Sequence, residues 1–276
     1  MSRLAAIQMA SGPNVSANLT EVGRLISQAV DAGAELVVLP ENFAFMGMKE
    51  QDKLGVSEAE GSGPIQDFIA AQADKHRVWI VAGTLPLKSQ DPQRVAAACL
   101  LYNERGEPVA RYDKVHLFDV KIQESRETYN ESQTTAAGTR VTVVETPFGR
   151  LGLAICYDLR FPELFRRMAT EGVDIIAIPS AFTAITGKAH WEVLLRARAI
   201  ENLAYVVASA QGGYHVNGRE TFGHSMIIDP WGRVLDCLPS GSGVVVARLD
   251  QKQLEITRRN FPVLQHRKLP CDLPSA

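Results

Sequence analysis

Residues 140–179, RVTVVETPFGRLGLAICYDLRFPELFRRMATEGVDIIAIP, contain two different kinds of strand connection. The runs 140–146 and 151–156 flank Pro147-Phe-Gly-Arg150 and read as a β-hairpin, with proline and glycine supplying the turn. After Cys156 the periodicity changes. Pro162 opens a helix over 162–171, and the apolar run 173–179 returns to strand. A hairpin gives an antiparallel pair, whereas strand–helix–strand gives a parallel one. Both in succession imply a mixed sheet.

The same alternation extends in both directions. Upstream, residues 4–9 read as a strand. Residues 16–32 read as a helix with Leu19, Val22, Ile26, Ala29 and Val30 on one face and Gly33 as its stop. Residues 35–39 form a short buried strand, 64–76 a helix opened by Pro64, and 78–85 a strand. The runs 96–103 and 108–113 make a hairpin with Gly106 in the turn. Downstream come a helix over 188–202, a strand over 204–210, and a hairpin of 224–228 with 233–237 around Asp229-Pro-Trp-Gly232. Strand 243–249 and helix 250–259 follow. No repeat, linker or shift in composition divides the chain. One domain over 1–260 is expected, followed by an extended tail over 261–276 marked by Pro262, Pro270 and Pro274. Hairpins mixed with helix–strand units imply two mixed sheets packed together with helices outside, an α/β fold of four layers, α-β-β-α.

Composition narrows the function. The chain has 276 residues, 46% hydrophobic and 22% charged, as in ordinary globular proteins. The formal net charge of −2 gives no basic field for nucleic acid or an anionic membrane. No apolar run approaches the ~20 residues of a membrane helix. The opening MSRLAAIQMA lacks the apolar core and cleavage site of a secretion signal, so a cytoplasmic location is expected. Cys99, Cys156, Cys237 and Cys271 form no CxxC pair and read as free thiols. The six histidines make no metal-ligand spacing, so neither metal nor cofactor is expected.

Three reactive side chains stand directly after strands: Glu41 after ELVVLP, Lys114 after PVARYD, and Cys156 at the end of LGLAIC. The carboxyl ends of strands are where α/β folds gather catalytic groups. A charge there needs a partner, and Glu41 and Lys114 suit each other. A thiol at a strand-to-helix junction lies near helix-terminal amides, which lower its pKa. Each has a plainer reading: an inert buried thiol, a helix cap, a solvated lysine. A Cys–His pair with His190, His215 or His224 is also open on the residues alone.

The segments LPENFAF (39–45), RYDKVHLFD (111–119) and GLAICYDLRFPELFR (152–166) resemble the three signature blocks of the nitrilase, or carbon–nitrogen hydrolase, superfamily. The resemblance spans nearly the whole chain. It implies the α-β-β-α sandwich, a homodimer, and a catalytic triad of Glu41, Lys114 and Cys156. It also implies an assisting glutamate, for which Ser125-Arg-Glu127-Thr offers Glu127, with Glu124 as second choice. In that chemistry Glu41 is the general base and Cys156 the nucleophile. Lys114 and the backbone N–H of Tyr157 stabilise the oxyanion.

The segments 179–202, 210–232 and 261–268 resemble the Nit branch, and within it the deaminated glutathione amidases. The implied substrate is a small amide with a 2-oxo acid end, hydrolysed to 2-oxoglutarate and cysteinylglycine in a metabolite-repair role. Arg160 is then implied to hold the carboxylate, and Phe182 and Thr186 to line the acyl pocket. The bland reading of Arg160 is an ion pair with Asp158 or Glu163. Lys188 departs from the pattern, since relatives often carry proline there, and would stand at the pocket mouth. An ω-amidase acting on 2-oxoglutaramate is the alternative within enzymes. A non-catalytic interaction protein is the alternative from another class, and the presence of all three triad residue types argues against it.

Overall fold

The computed structural model describes residues 2–122 and 127–269, so Glu124 and Cys271 lie outside the described residues. The first half of the chain forms β1 (Arg3–Gln8), α1 (Val15–Asp31), β2 (Leu36–Val38), α2 (Pro64–His76), β3 (Trp79–Val81), β4 (Leu85–Lys88), β5 (Val95–Tyr102) and β6 (Pro108–Asp113). A hairpin of β7 (Asp119–Ile122) and β8 (Glu127–Asn130) and the short β9 (Thr135–Ala136) follow. The second half forms β10 (Val143–Thr146), β11 (Gly149–Leu153), α3 (Pro162–Thr170), β12 (Ile175–Ser180), α4 (Ala184–Asn202), β13 (Tyr205–Ala210), β14 (Gly212–Tyr214), β15 (Glu220–Phe222), β16 (Ser225–Ile228), β17 (Val234–Leu238), β18 (Gly243–Arg248) and α5 (Gln251–Asn260).

Two mixed sheets result. The first runs β18-β1-β2-β3-β5-β4, with β6 and β9 also on β5. The second runs β10-β11-β12-β13-β16-β17. β1, β2 and β3 are parallel, as are β11, β12 and β13, while the hairpins β10–β11 and β5–β6 and the long-range pair β1–β18 are antiparallel.

Side-chain alternation along β1 and β2 separates the layers. Leu4, Ala6, Leu36 and Val38 point into the core shared with the second sheet. Ala5, Ile7, Val37 and Leu39 point the other way, onto Val22, Leu25, Ile26 and Ala29 of α1 and Ile65, Ile69 and Ala73 of α2. On the far side Ile175–Ile178 of β12 lie in one core with Phe165 and Met168 of α3 and Trp191 and Leu195 of α4. The order α1/α2, sheet, sheet, α3/α4 is the expected four-layer sandwich.

Some boundaries differ from the sequence reading. The strand expected over 78–85 is two, β3 and β4, broken at Gly83. α4 starts four residues earlier than position 188, because Thr183 caps it by accepting from the Thr186 N–H. The pairs β7–β8 and β14–β15 are built from strands of only three or four residues, too short for a pattern to mark them. Residues 261–269 run through turns rather than extended, with Pro262 O accepting from Gln265 N–H.

Candidate active site

Glu41 is positioned by the end of β2. Leu39 N–H donates to Val81 O at 2.9 Å, carrying the strand direction up to Pro40. There Gly83 passes beneath the chain with φ +45°, and a Cβ at this position would lie 2.0 Å from Pro40 O. Only glycine fits both that conformation and that contact. Asn42 N–H donates to Thr84 Oγ1 at 2.8 Å, and Gln211 Nε2 donates to Glu41 O at 2.9 Å. The backbone on both sides of Glu41 is therefore fixed, and its side chain is buried.

Lys114 follows β6. Its N–H donates to Ala97 O at 3.0 Å and its carbonyl accepts from Gly138 N–H at 2.8 Å. The ammonium, 2% exposed, lies 2.8 Å from Glu41 Oε1 and 2.9 Å from Glu131 Oε2. Burial disfavours the charge, but Glu131 and Glu41 outweigh it and hold Lys114 well above the usual lysine range. The second carboxylate on the lysine is Glu131 and not Glu127. Glu127 opens β8 opposite Ile122 and bonds to the Tyr129 side chain. Glu131 lies past the end of that hairpin, in a short 3₁₀ turn, where Phe118 N–H donates to its Oε2 at 2.7 Å and aims it inward. The signal that could have found it is weak: an acidic residue straight after the β7–β8 pair.

Cys156 ends the apolar run of β11 at φ +46°, a left-handed conformation that side chains with a Cβ rarely adopt. A 3₁₀ helix, Cys156–Arg160, starts there. The thiol faces Glu41 and Lys114, and the Ala181 backbone N–H lies near its sulfur. The expected lowering of its pKa does not occur. Burial, and then the neighbouring Glu41 charge, push the thiol well above its ordinary value, against the pull of Lys114 and Ala181. A one-turn helix gives too little positive potential to reverse that.

Asp158 joins the two catalytic segments. Fully buried, it accepts from Ile155 N–H at 2.9 Å and Tyr112 Oη at 2.7 Å. It also accepts from His116 N–H at 3.0 Å and meets the His116 ring at 2.7 Å. Tyr112 and His116 flank Lys114, so one carboxylate ties the lysine segment to the cysteine segment. Arg198 of α4 adds a clamp, donating from Nη2 to Leu159 O at 2.7 Å.

The cluster opens on a pocket whose walls include Tyr157, Arg160, Phe182 and Thr186. Arg160 pairs with neither Asp158 nor Glu163. Its guanidinium lies 5.1 Å from the Phe182 ring and 5.8 Å from the Tyr157 ring, and it contacts His190 at 3.2 Å. Among the described residues it has no carboxylate partner. Lys188 is exposed on α4 and outside the pocket lining. The three candidate histidines have other partners: His190 contacts Arg160, His215 bonds Ser11 O and Thr221 Oγ1, and His224 stacks on Phe222. Among the described residues no group of three or more His, Cys, Asp or Glu could hold a metal, and no helix is long and apolar enough to cross a membrane.

The chain belongs to the carbon-nitrogen hydrolase family, whose sequence profile matches residues 3–259 and so takes in every strand and the whole cluster. Its fold is that of solved relatives. The Caenorhabditis elegans NitFhit protein superposes with a TM-score of 0.90 at 38% identity, over 97% of this chain and 65% of that longer one. Saccharomyces cerevisiae Nit3, a member of branch 10 of the nitrilase superfamily, superposes at 0.85 and 29% identity, over 95% of this chain and 94% of its own. Among individual proteins, the chain is 46% identical to the deaminated glutathione amidase of Synechocystis over 95% of its length and 97% of the relative's. It is 40% identical to the human deaminated glutathione amidase, over 96% of this chain and 82% of that one.

Proposed function

We propose that this protein is a cysteine amidase that cleaves the amide of deaminated glutathione to 2-oxoglutarate and cysteinylglycine. The observation that carries the reading is a buried thiol, ammonium and carboxylate opening on a pocket that also presents Arg160 without a carboxylate of its own. The names borne by relatives at this identity support the choice of amide.

The chemistry follows from the environment of each group. The thiol is neutral at rest, so attack requires a base, and Glu41 stands beside the sulfur to take the proton. Sulfur adds to the amide carbon and the carbonyl oxygen becomes an oxyanion. Lys114 Nζ and the Tyr157 N–H stabilise it. Tyr157 is the second residue of its short helix, where N–H groups lack an intrahelical acceptor. Glu41 passes its proton to the departing amine, the tetrahedral adduct collapses to a thioester, and cysteinylglycine leaves. Water, deprotonated by the same carboxylate, then hydrolyses the thioester. Glu131 keeps Lys114 charged and aimed throughout. Arg160 grips the 2-oxo acid carboxylate, with Phe182 and Thr186 beside the acyl chain.

We further read the protein as a cytoplasmic homodimer acting in metabolite repair. The free Cys99, Cys156 and Cys237 suit a reducing compartment. Val193 and Ile200 of α4 are 66% and 44% exposed, and Trp231 and Phe261, in mutual ring contact at 5.6 Å, extend the apolar face.

The test is release of 2-oxoglutarate from deaminated glutathione and, separately, from 2-oxoglutaramate, with Cys156→Ala as blank. Preference for deaminated glutathione, lost in the variant, is expected. Preference for 2-oxoglutaramate would move the assignment to ω-amidase, and turnover of neither would sink it.

A further inference from the structure

The pocket holds a second cationic end. Arg219, in the β14–β15 turn, lies with its guanidinium 5.0 Å from the Tyr129 ring centroid. Tyr129 meets Phe118 at 5.0 Å, Phe118 meets Tyr157 at 5.0 Å, and Tyr157 meets Arg160 at 5.8 Å. Three aromatic rings in successive contact thus link Arg160 to Arg219, and all five residues line the same pocket.

The Arg219 end is built and held. Asn217 Nδ2 donates to Gly47 O at 2.8 Å, fixing the turn against the loop after β2. His215 fastens the base of the hairpin through Ser11 O at 2.9 Å and Thr221 Oγ1 at 2.7 Å. Arg219 Nη2 lies 2.6 Å from Glu50, which Lys53 also approaches at 2.7 Å. Despite its partial burial, these two cations hold the Glu50 carboxyl at a pKa of about 2. Two cations thus face the Glu50 carboxylate at this end, and Lys49 and Glu220 line the same pocket.

We propose that Arg219, supported by Lys53, is a specificity-determining residue that binds the carboxylate of the departing amine. The inference rests on the reading above, and follows from that substrate's shape. Deaminated glutathione carries carboxylates at both ends and is about three residues long, roughly 10 Å extended. With Arg160 on the acyl carboxylate and the scissile amide at Cys156, the glycine carboxylate is left to reach along the aromatic wall. A simple ω-amide has no group on that side. Arg219 therefore distinguishes a peptide-like leaving group from ammonia.

The experiment compares wild type, Arg219→Met and Arg219→Lys on three substrates: deaminated glutathione, the same compound with its glycine carboxylate amidated, and 2-oxoglutaramate. Loss of a charge-assisted contact should lower kcat/KM for Arg219→Met on the free acid by about 10- to 100-fold. The lysine variant should recover part of that loss. On the amidated compound and on 2-oxoglutaramate the methionine variant should stay within about threefold of wild type. An equal loss on all three substrates would make Arg219 merely structural, and no loss on the free acid would remove it from recognition. Either result overturns this proposal while leaving the amidase reading intact. Wild type that hydrolyses 2-oxoglutaramate but not deaminated glutathione would instead defeat the substrate assignment, and this proposal with it.

Discussion

Lys114 is the residue on which the site's charge balance turns. An ammonium this deep in a protein is stable only with anions in contact, and it has two. Their contributions differ. Glu41 also faces the thiol and gives up its charge when it takes the proton; Glu131 touches Lys114 and Phe118 N–H and stands outside that transfer. Glu131→Gln should therefore lower kcat by on the order of 100-fold with little change in KM, since the oxyanion contact weakens only as charge develops. Glu127→Gln should remain within about threefold of wild type, because Glu127 bonds along its hairpin to Tyr129. Steady-state kinetics of the two variants side by side checks this, and equal losses would refute it. Glu41 and Cys156 stand where apolar strands stop and Lys114 directly after β6, which made them candidates, and the resemblance of their three segments to the signature blocks joined them as a triad. Glu131 could not be found that way. Its reach depends on a hairpin whose strands, DVKI and ETYN, are half exposed and only four residues each, too short for their alternation to stand out.

Among the elements, the loops after β2 and β3 are interlocked, and Gly83 is the point of contact. Gly83→Ala would bring a methyl group to 2.0 Å from Pro40 O, in a backbone conformation that alanine resists. The Glu41 loop must then move. A displacement of about 1 Å at a catalytic group costs roughly 100-fold in rate. The variant should lose at least about tenfold in kcat and about 1–3 kcal/mol in stability, read by kinetics and thermal melting. Gly55→Ala, facing open space, should do neither. The same glycine explains a limit of the sequence reading. VWIVAGTL is apolar throughout, so it read as one strand, although a left-handed glycine ends β3 and starts a new direction. Helix faces were more legible: the α1 stripe Val22, Ile26 and Ala29 is buried as its spacing requires. Asp158 was legible only as a possible partner for Arg160. Its actual partners, Tyr112 and His116, come from a segment more than forty residues away, and no local pattern announces that.

Across the whole molecule, Val193, Ile200, Trp231 and Phe261 are among the large apolar side chains left exposed outside the helix layers. If two copies meet there, Val193→Glu should give a monomer in sedimentation velocity at micromolar concentration, with a far-ultraviolet spectrum like that of wild type. A dimer that persists would place the contact elsewhere. The four-layer order itself was readable, because hairpins alternating with helix–strand units admit few arrangements. Which strands neighbour one another was not, since partners far apart in the chain leave no local trace. The pairing of β1 with β18 is the extreme case: Arg3 lies opposite Arg248 and Gln8 opposite Gly243. During synthesis on the ribosome, the neighbour that closes the second edge of β1 follows it by about 235 residues, from Gln8 to Gly243. At about 5–20 residues per second, that edge stays bare for roughly ten seconds or more, an open template for pairing with other chains.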